Sequence, residues 1–372
     1  MSILELIKTN PDYSDSKEEL NNLLKECYAE LELQSSANIN NKIKINAGYG
    51  IQTVSSFRFK KHLNAEAITS CGQLCVRGCG NYIEKMLKDK EYQISNQYFD
   101  TDSIFLNFRN KLNLLDKIEK ESGFESAIDT IIDWNKEHVQ PLINDYFDKM
   151  AIAFNAMENM IEMDFELIAD KSTFFAPKKY IMRKVWDKGK YIKPSNNSFK
   201  FRGIEIVRTT TPLFFRNKLK EAVIIIFNGT NDDLIDFISQ TKKEYFELSF
   251  EEMANPTGVN GMDKYTFRSK HIPVHVFGSL VYNEYIKHKG LDNKYQYITD
   301  KAKIKISYIK KPNCLNSHII SVPNNIFPDE LKELIDLDYE KMFEKNFMKP
   351  INRFLNVVGW SDKKSYSLDE LF

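Results

Sequence analysis

Residues 97–107 read QYFDTDSIFLN, placing Asp100 and Asp102 one residue apart between two apolar, aromatic runs. Neighbouring carboxylates repel, and aspartate is a poor strand residue, so the pair calls for a compensating cation. On a strand, residues i and i+2 share a face, which predicts both side chains on the same side of a tight turn. Two such carboxylates suit a pair of Mg²⁺ ions about 4 Å apart, gripping the attacking and leaving oxygens of an in-line phosphoryl displacement. That chemistry needs at least one more carboxylate. A Ca²⁺ loop is excluded, because its sixth position is Phe105 rather than glycine and its twelfth is Lys111 rather than glutamate. A turn or capping role accounts for one aspartate, not for two inside an apolar hairpin.

Other residue sets bear on the same chemistry. Lys42, Asn46 and Tyr49 fall at i, i+4 and i+7, one stripe of a helix. A cation, an amide and a flat ring in line suit a nucleoside triphosphate; taken alone, the triplet is equally an ordinary solvated stripe. Cys71, Cys75 and Cys79 repeat every fourth residue among Gly72, Gly78 and Gly80, which reads as a small-residue packing face more readily than as a metal site. Asp164 and Glu166 are further carboxylates within reach of a metal site, or residues of an exposed strand edge.

Lysine plus arginine and aspartate plus glutamate both number 52, so net charge excludes no class of partner. Its distribution says more: residues 112–170 hold 14 acidic against 4 basic residues, and 178–220 hold 13 basic against 2 acidic. This switch is either two solvated faces of opposite sign or an acidic region followed by a segment that tracks phosphates. Five irregularly spaced cysteines form no disulfide framework, and no apolar run approaches membrane-spanning length. An intracellular, soluble protein without a membrane partner is expected.

The elements that must position these residues follow from periodicity. Ser16 and Glu19 have capping-box spacing ahead of a helix that continues to about Ala47 and ends at the Gly48–Gly50 pair. A second helix is predicted over 65–88, and two strands joined at Asp-Thr-Asp form a hairpin. Residues 111–162 read as mostly helical with a break at Pro141, 165–207 as strands, and Pro212 opens a helix over 213–227. Strands and helices alternate to a polar tail, and the class is α+β.

YFDTDS, residues 98–103, resembles the Tyr-Gly-Asp-Thr-Asp-Ser signature of family B DNA polymerases. A related Tyr-x-Asp-Asp hairpin in reverse transcriptases makes that motif moderately specific by itself. KIKINAGYG (42–50) is similar to the family's Lys-x-x-x-Asn-Ser-x-Tyr-Gly on the second fingers helix. FRFKKHLNAEAITSCGQ (57–73), FAPKKYIMRKVWD (175–187), GIEIVRTTTP (203–212), FEKNFMKPI and the final SLDELF resemble successive segments of the T-even-phage-type polymerases, in the same order. Reverse transcriptases leave the fingers and thumb segments unexplained. Four positions, at three sites, depart from the family pattern. Phe99 replaces the hairpin glycine, Ala47 and Gly48 replace serine and an apolar residue, and Pro177 replaces a lysine of the DNA-tracking segment. These bear on fidelity and DNA affinity more than on reaction type.

The resemblance implies a right-hand architecture: 1–52 as the C-terminal part of the fingers, 53–203 as palm with the Asp-Thr-Asp hairpin, and 204–372 as a mostly helical thumb. It implies Asp102 as the ligand shared by two Mg²⁺ ions and Asp100 as an auxiliary one. Lys42 and Asn46 would hold the dNTP, with Tyr49 bordering the nascent base pair. Lys178, Tyr180 and Arg208 would contact primer-template DNA, and Leu368, Leu371 and Phe372 would anchor a sliding clamp. The family's Asp-x-x-Ser-Leu-Tyr-Pro-Ser motif, with the third carboxylate, finds no match in these 372 residues, nor do the first fingers helix and the exonuclease. The expectation is therefore the C-terminal subunit of a split polymerase, working in the cytoplasm of an infected bacterium with an N-terminal subunit. A non-catalytic DNA-binding or scaffold subunit is the alternative.

Overall fold

A computed structural model describes residues 17–88, 94–108, 119–323 and 326–363. The chain forms two compact units: one comprises Met1–Leu112 and His138–Met163, the other Asn113–Glu137 and Asp164–Phe372. Among the described residues, helices and three antiparallel sheets, of two, four and three strands, make the class α+β. Among the described residues no helix is long and apolar enough to cross a membrane.

The first unit opens with α1, Lys17–Gly50. The capping serine, Ser16, lies outside the described residues. The helix does not stop at its glycines: Gly50 keeps right-handed helical angles, and a 3₁₀ turn, Ile51–Thr53, carries on to extended Val54. The Thr53 hydroxyl donates to the Gly50 carbonyl at 2.8 Å, so a side chain satisfies a terminal acceptor in place of a left-handed glycine cap. Helix α2, His62–Leu87, buries Cys75, Val76, Cys79, Ile83 and Leu87. The hairpin of β1, Ile94–Asp100, and β2, Ser103–Phe108, packs on α2. Helix α4, Gln140–Ala153, packs on α2 as well. Here the small-residue face of α2 acts as a packing surface, since a Cβ on Gly78 would lie 1.9 Å from the Tyr146 hydroxyl of α4.

Two expectations for the acidic stretch change. Pro141 does not break a helix; it sits in the first turn of α4, directly after a π-helical segment, Asn135–Val139, a local change of hydrogen-bond register beside the missing N–H. Helix then ends at Ala153 rather than running on to residue 162. Asn155 takes φ 51°, its N–H donates to the Ile152 carbonyl at 3.0 Å, and that of Ala156 donates to the Ala151 carbonyl at 2.9 Å. That is the paired closure of a left-handed helix stop, with asparagine where glycine is commoner.

The second unit begins with α3, Phe124–Trp134. Its Ile128 is buried with Ile168, Val185 and Trp186. A four-stranded sheet follows: β3, Leu167–Ala176; β4, Lys179–Asp187; β5, Lys190–Tyr191; and β6, Phe199–Arg202, with β4 central. Helix α5, Leu213–Asn228, starts behind Pro212 as its sequence predicts. Helix α6, Asn231–Phe246, carries a full capping box between Thr230 and Asp233. After α7, Phe250–Met253, comes the three-stranded sheet of β7, Asn255–Gly258; β8, Lys303–Tyr308; and β9, Ile319–Pro323, with α8, Val274–Lys289, between β7 and β8. Short α9, Asp329–Lys332, and α10, Tyr339–Phe343, lead through a π segment, Glu344–Met348, to α11, Lys349–Val358. The larger cluster of this unit centres on Phe215, Tyr245, Phe343 and Phe347, with the Phe215 and Tyr245 ring centroids 4.7 Å apart.

Candidate functional site

Asp100 closes β1 opposite Ser103, leaving Thr101 and Asp102 as a two-residue turn. Thr101 is in the left-handed region at φ 56°, a strained position for a β-branched residue, of order 1–3 kcal/mol. The Asp102 N–H donates to the Asp100 carbonyl at 2.6 Å and the Ser103 hydroxyl donates to it at 3.1 Å, while the Thr101 hydroxyl reaches Asp100 Oδ1 at 3.2 Å. Period-two alternation therefore does not govern the pair, because Asp102 belongs to the turn and not to a strand. Asp100 is half-buried and Asp102 exposed.

What fixes the turn is the back of the hairpin. The pairing shifts between Asn96 and Tyr98, so Gln97 is an extra residue in β1. This bulge lets Asn96 and Phe99, three apart, both face α2: a Cβ on Gly80 would lie 2.5 Å from Phe99 Cε1 and 2.8 Å from Asn96 Oδ1. Asn96 also donates to Glu84 Oε2 at 2.6 Å. The bulk of Phe99 thus fills a glycine notch in the helix. Sequence reading missed Gly80, Asn96 and Glu84 as a positioning set; a glycine inside an otherwise regular helix was the available signal. On the same helix, Tyr82 donates to Asp145 of α4, and Lys149 donates to Asp145 at 2.7 Å and to Tyr82 at 2.9 Å. These bonds to Asp145 and then Tyr82 lift the Lys149 ammonium to about 12 and lower the Asp145 carboxyl.

Two hard carboxylate oxygen donors match Mg²⁺ in kind and fall short in number. Among the described residues, no group of three or more histidine, cysteine, aspartate or glutamate side chains is placed to hold a metal ion. Glu166 is committed to Lys188 at 2.8 Å, and Asp164 is exposed.

Lys42, Asn46 and Tyr49 all lie exposed on one face of α1, Tyr49 at 37%. Over those seven residues the helix rises roughly 10 Å. No hydrogen bond or ion pair joins them to the hairpin among the described residues.

In the second unit, Pro177 and Lys178 form the two-residue turn between β3 and β4, with Lys178 at φ 61°. Proline followed by a positive-φ residue is the requirement of a type II turn, so Pro177 is the turn's own residue. Gly203, at φ 67°, touches this turn so closely that a Cβ would lie 1.9 Å from the Lys178 carbonyl. Arg208 donates to the Gly203 carbonyl at 3.3 Å. One glycine thus gathers Lys178 and Arg208, both exposed, into a single region. Tyr180 is 4% exposed, its ring 5.7 Å from Phe174. Exposed Lys200 and Arg202 alternate on β6 with Phe199 and Phe201, a basic edge that sequence reading did not single out. Leu368, Leu371 and Phe372 lie outside the described residues.

No family model matches the chain. It is 24% identical over 380 aligned positions to the DNA-directed DNA polymerase of Enterobacteria phage T4, covering 95% of this chain and 40% of that polymerase. It is 26% identical over 361 positions to the DNA-directed DNA polymerase of Escherichia phage RB69, covering 91% of this chain and 38% of that one. The chain spans about two-fifths of the length of these relatives. Similarity across nearly all of it bears out the resemblance to the T-even-phage-type polymerases and is consistent with their C-terminal portion.

Proposed function

We propose that this chain supplies the second fingers helix, most of the palm and the thumb of a phage replicative DNA polymerase, in a right-hand arrangement completed by an N-terminal subunit. The assembled enzyme adds dNTPs to a primer 3′-hydroxyl in the infected bacterial cell. One observation carries the reading: an Asp-Thr-Asp turn, held in a strained conformation at the tip of a two-stranded hairpin, in a chain similar over almost its whole length to phage polymerases.

Asp102, exposed at the turn, is the principal metal ligand in this reading and half-buried Asp100 an auxiliary one. Two Mg²⁺ ions, when bound, supply charge stabilisation for the transferring phosphoryl group. The chain's own part is to hold both carboxylates still. The bulge at Gln97, the notch at Gly80 and the Asn96–Glu84 bond do this by fixing the back of the hairpin to α2. Lys42 and Asn46 hold the triphosphate, with Tyr49 beside the nascent base pair. Lys178 and Arg208 meet the DNA backbone, while buried Tyr180 carries the strand behind Lys178 and reaches DNA only at its rim. The further carboxylates come from the N-terminal subunit. Exposed apolar side chains of the first unit, such as Ile45 at 75% and Met160 at 82%, are in keeping with a large interface to it.

Primer extension by the chain mixed with the N-terminal subunit tests the reading. Mg²⁺-dependent synthesis is expected. A stable complex that binds primer-template and never extends it would establish the scaffold alternative. The tail 367–372 is proposed to dock a sliding clamp through Leu368, Leu371 and Phe372. Deleting it should spare distributive synthesis and remove clamp stimulation, and undiminished stimulation would refute the assignment.

A further inference from the structure

The second unit carries a patch that the polymerization chemistry does not use. His318, just ahead of β9, lies nearly parallel to two rings: Phe277 of α8 at 6.1 Å and 20°, and Tyr308 of β8 at 6.3 Å and 24°. Exposed Phe267 meets Phe277 edge-on at 6.1 Å, extending the row. Lys341 Nζ sits 4.3 Å from the Tyr308 ring centroid and Lys345 Nζ 5.0 Å from it, and Lys345 also donates to the Tyr308 hydroxyl at 3.3 Å. Lys341 and Lys345 are one helical turn apart, a spacing at which like charges repel.

Among the described residues neither Lys341, Lys345 nor Lys311 has an ion-pair partner. Two acidic neighbours are engaged elsewhere: Glu340 pairs with Lys242 at 2.9 Å, and Asp338 accepts the Lys341 N–H at 3.0 Å as a helix cap. The charges that act on His318 are Lys341 and Lys311, which add to its partial desolvation in lowering its pKa. Its flat ring is thereby held toward the neutral form, beside cations.

We propose that this row of rings, edged by Lys311, Lys341 and Lys345, is a binding site for single-stranded nucleic acid, with a base against exposed His318 and phosphates on the lysines. Three lysines without an ion-pair partner among the described residues call for repeated anions, and exposed His318, nearly parallel to half-buried Phe277 and Tyr308, offers a flat ring on which a base can stack. A duplex offers the first and withholds the second, because its bases are already stacked on one another. The site lies wholly within the second unit and does not depend on the assignment of Asp100 and Asp102.

The test is fluorescence anisotropy with the full chain and three labelled probes: twelve-nucleotide oligothymidylate, oligouridylate of the same length, and a twelve-base-pair blunt duplex. Direct binding is read, so a failed polymerase assignment leaves the outcome intact. The expected result is tighter binding of one or both single strands than of the duplex, and the two single-strand arms tell DNA from RNA. Changing exposed His318→Ala should weaken that binding ~5- to 100-fold, the range for losing one base stack. The double change Lys341→Gln, Lys345→Gln should lower the slope of log affinity against log salt by about 1.4, from two phosphate contacts on a single strand. Because both sets alter exposed residues, retained near-ultraviolet dichroism checks the fold, and Tyr308→Phe should keep most of the stacking. Single-strand binding unchanged in both sets, or duplex binding equally tight and equally sensitive to them, would overturn the proposal.

Discussion

The two compact units differ in what holds their elements together. The second has a large core in which Phe215, Leu219, Leu234 and Phe347 have no exposure, and its α6 starts from a side-chain capping box, Thr230–Asp233. The first has a smaller interior around α2, Cys79, Ile83 and Phe147, and it leaves a 34-residue helix with Leu31, Ile39, Ile43 and Ile45 exposed. Yet the carboxylate pair and the Lys42 stripe belong to the first unit. Residues suited to chemistry lie where the chain's own burial is least, and the Gly80 notch with the Asn96–Glu84 bond, rather than a large core, positions the carboxylate pair. Trp134, Trp186 and Trp360 all fall in the second unit, so the two can be followed separately.

The largest expected effect is on chemistry alone. In the assembled enzyme, Asp102→Asn should lower primer extension by about 10³-fold or more. Primer-template affinity should stay within a few-fold, as an exposed turn residue supports no packing. Near-normal turnover would remove the metal assignment.

Gly203→Ala sharpens the contrast from the other side. Its Cβ would meet the Lys178 carbonyl at a position where φ is 67°, so the second unit should lose about 3 kcal/mol. Denaturant unfolding read by tryptophan fluorescence would show this as a shifted midpoint. An unshifted midpoint would mean that the turn and Gly203 are not in contact in solution.

Gly80→Val should cost the first unit about 2 kcal/mol, less the gain in helix propensity. Hydrogen exchange should speed up in α2 and β1 while the tryptophan transition stays in place. A second change, Phe99→Ala, should return part of the loss by vacating the notch. Equal loosening in both units would contradict the separation drawn above.

Lys42→Ala should be milder still. A rise of about tenfold in the apparent nucleotide constant is expected, with stability within about 0.5 kcal/mol because the side chain is exposed. Lost DNA affinity with an unchanged nucleotide dependence would move Lys42 to the duplex.

The smallest effect is a pH dependence confined to the second unit. Lys294, together with Glu330's own N–H and the Tyr295 hydroxyl, holds the Glu330 carboxyl down at about 2. A depressed folded value means that the contribution is complete above the ordinary carboxylate range and is lost as pH falls from about 4.5 toward 2. Glu330→Gln should therefore matter slightly at pH 7 and not at pH 2. A difference in melting temperature that persists at pH 2 would refute that role.

Much of this could be read from residue order, and the failures have definite causes. Period 3.6 and proline placement located α2 and α5 to within a few residues, and β-propensity with Asp-Thr-Asp located the hairpin. The stop at Asn155 was missed because asparagine takes the left-handed conformation less often than glycine and the preceding pattern still reads as helix. The bulge at Gln97 was invisible because its signal lies in the partner strand and in Gly80, sixteen residues or more away. Strand alternation likewise does not extend to Asp102, where a turn governs. Gly203 stood inside a quoted motif, but that it gathers Lys178 and Arg208 is a tertiary fact. The site's composition was legible locally, while its supports depend on contacts between separate elements.

Primer extension tests the central claim most directly when run with this chain alone, with the N-terminal subunit alone, and with both. The account predicts templated, Mg²⁺-dependent synthesis only in the mixture, carried by a 1:1 complex, with its activity abolished when this chain bears Asp102→Asn. Robust synthesis by this chain alone, or an active mixture containing that variant, would contradict it.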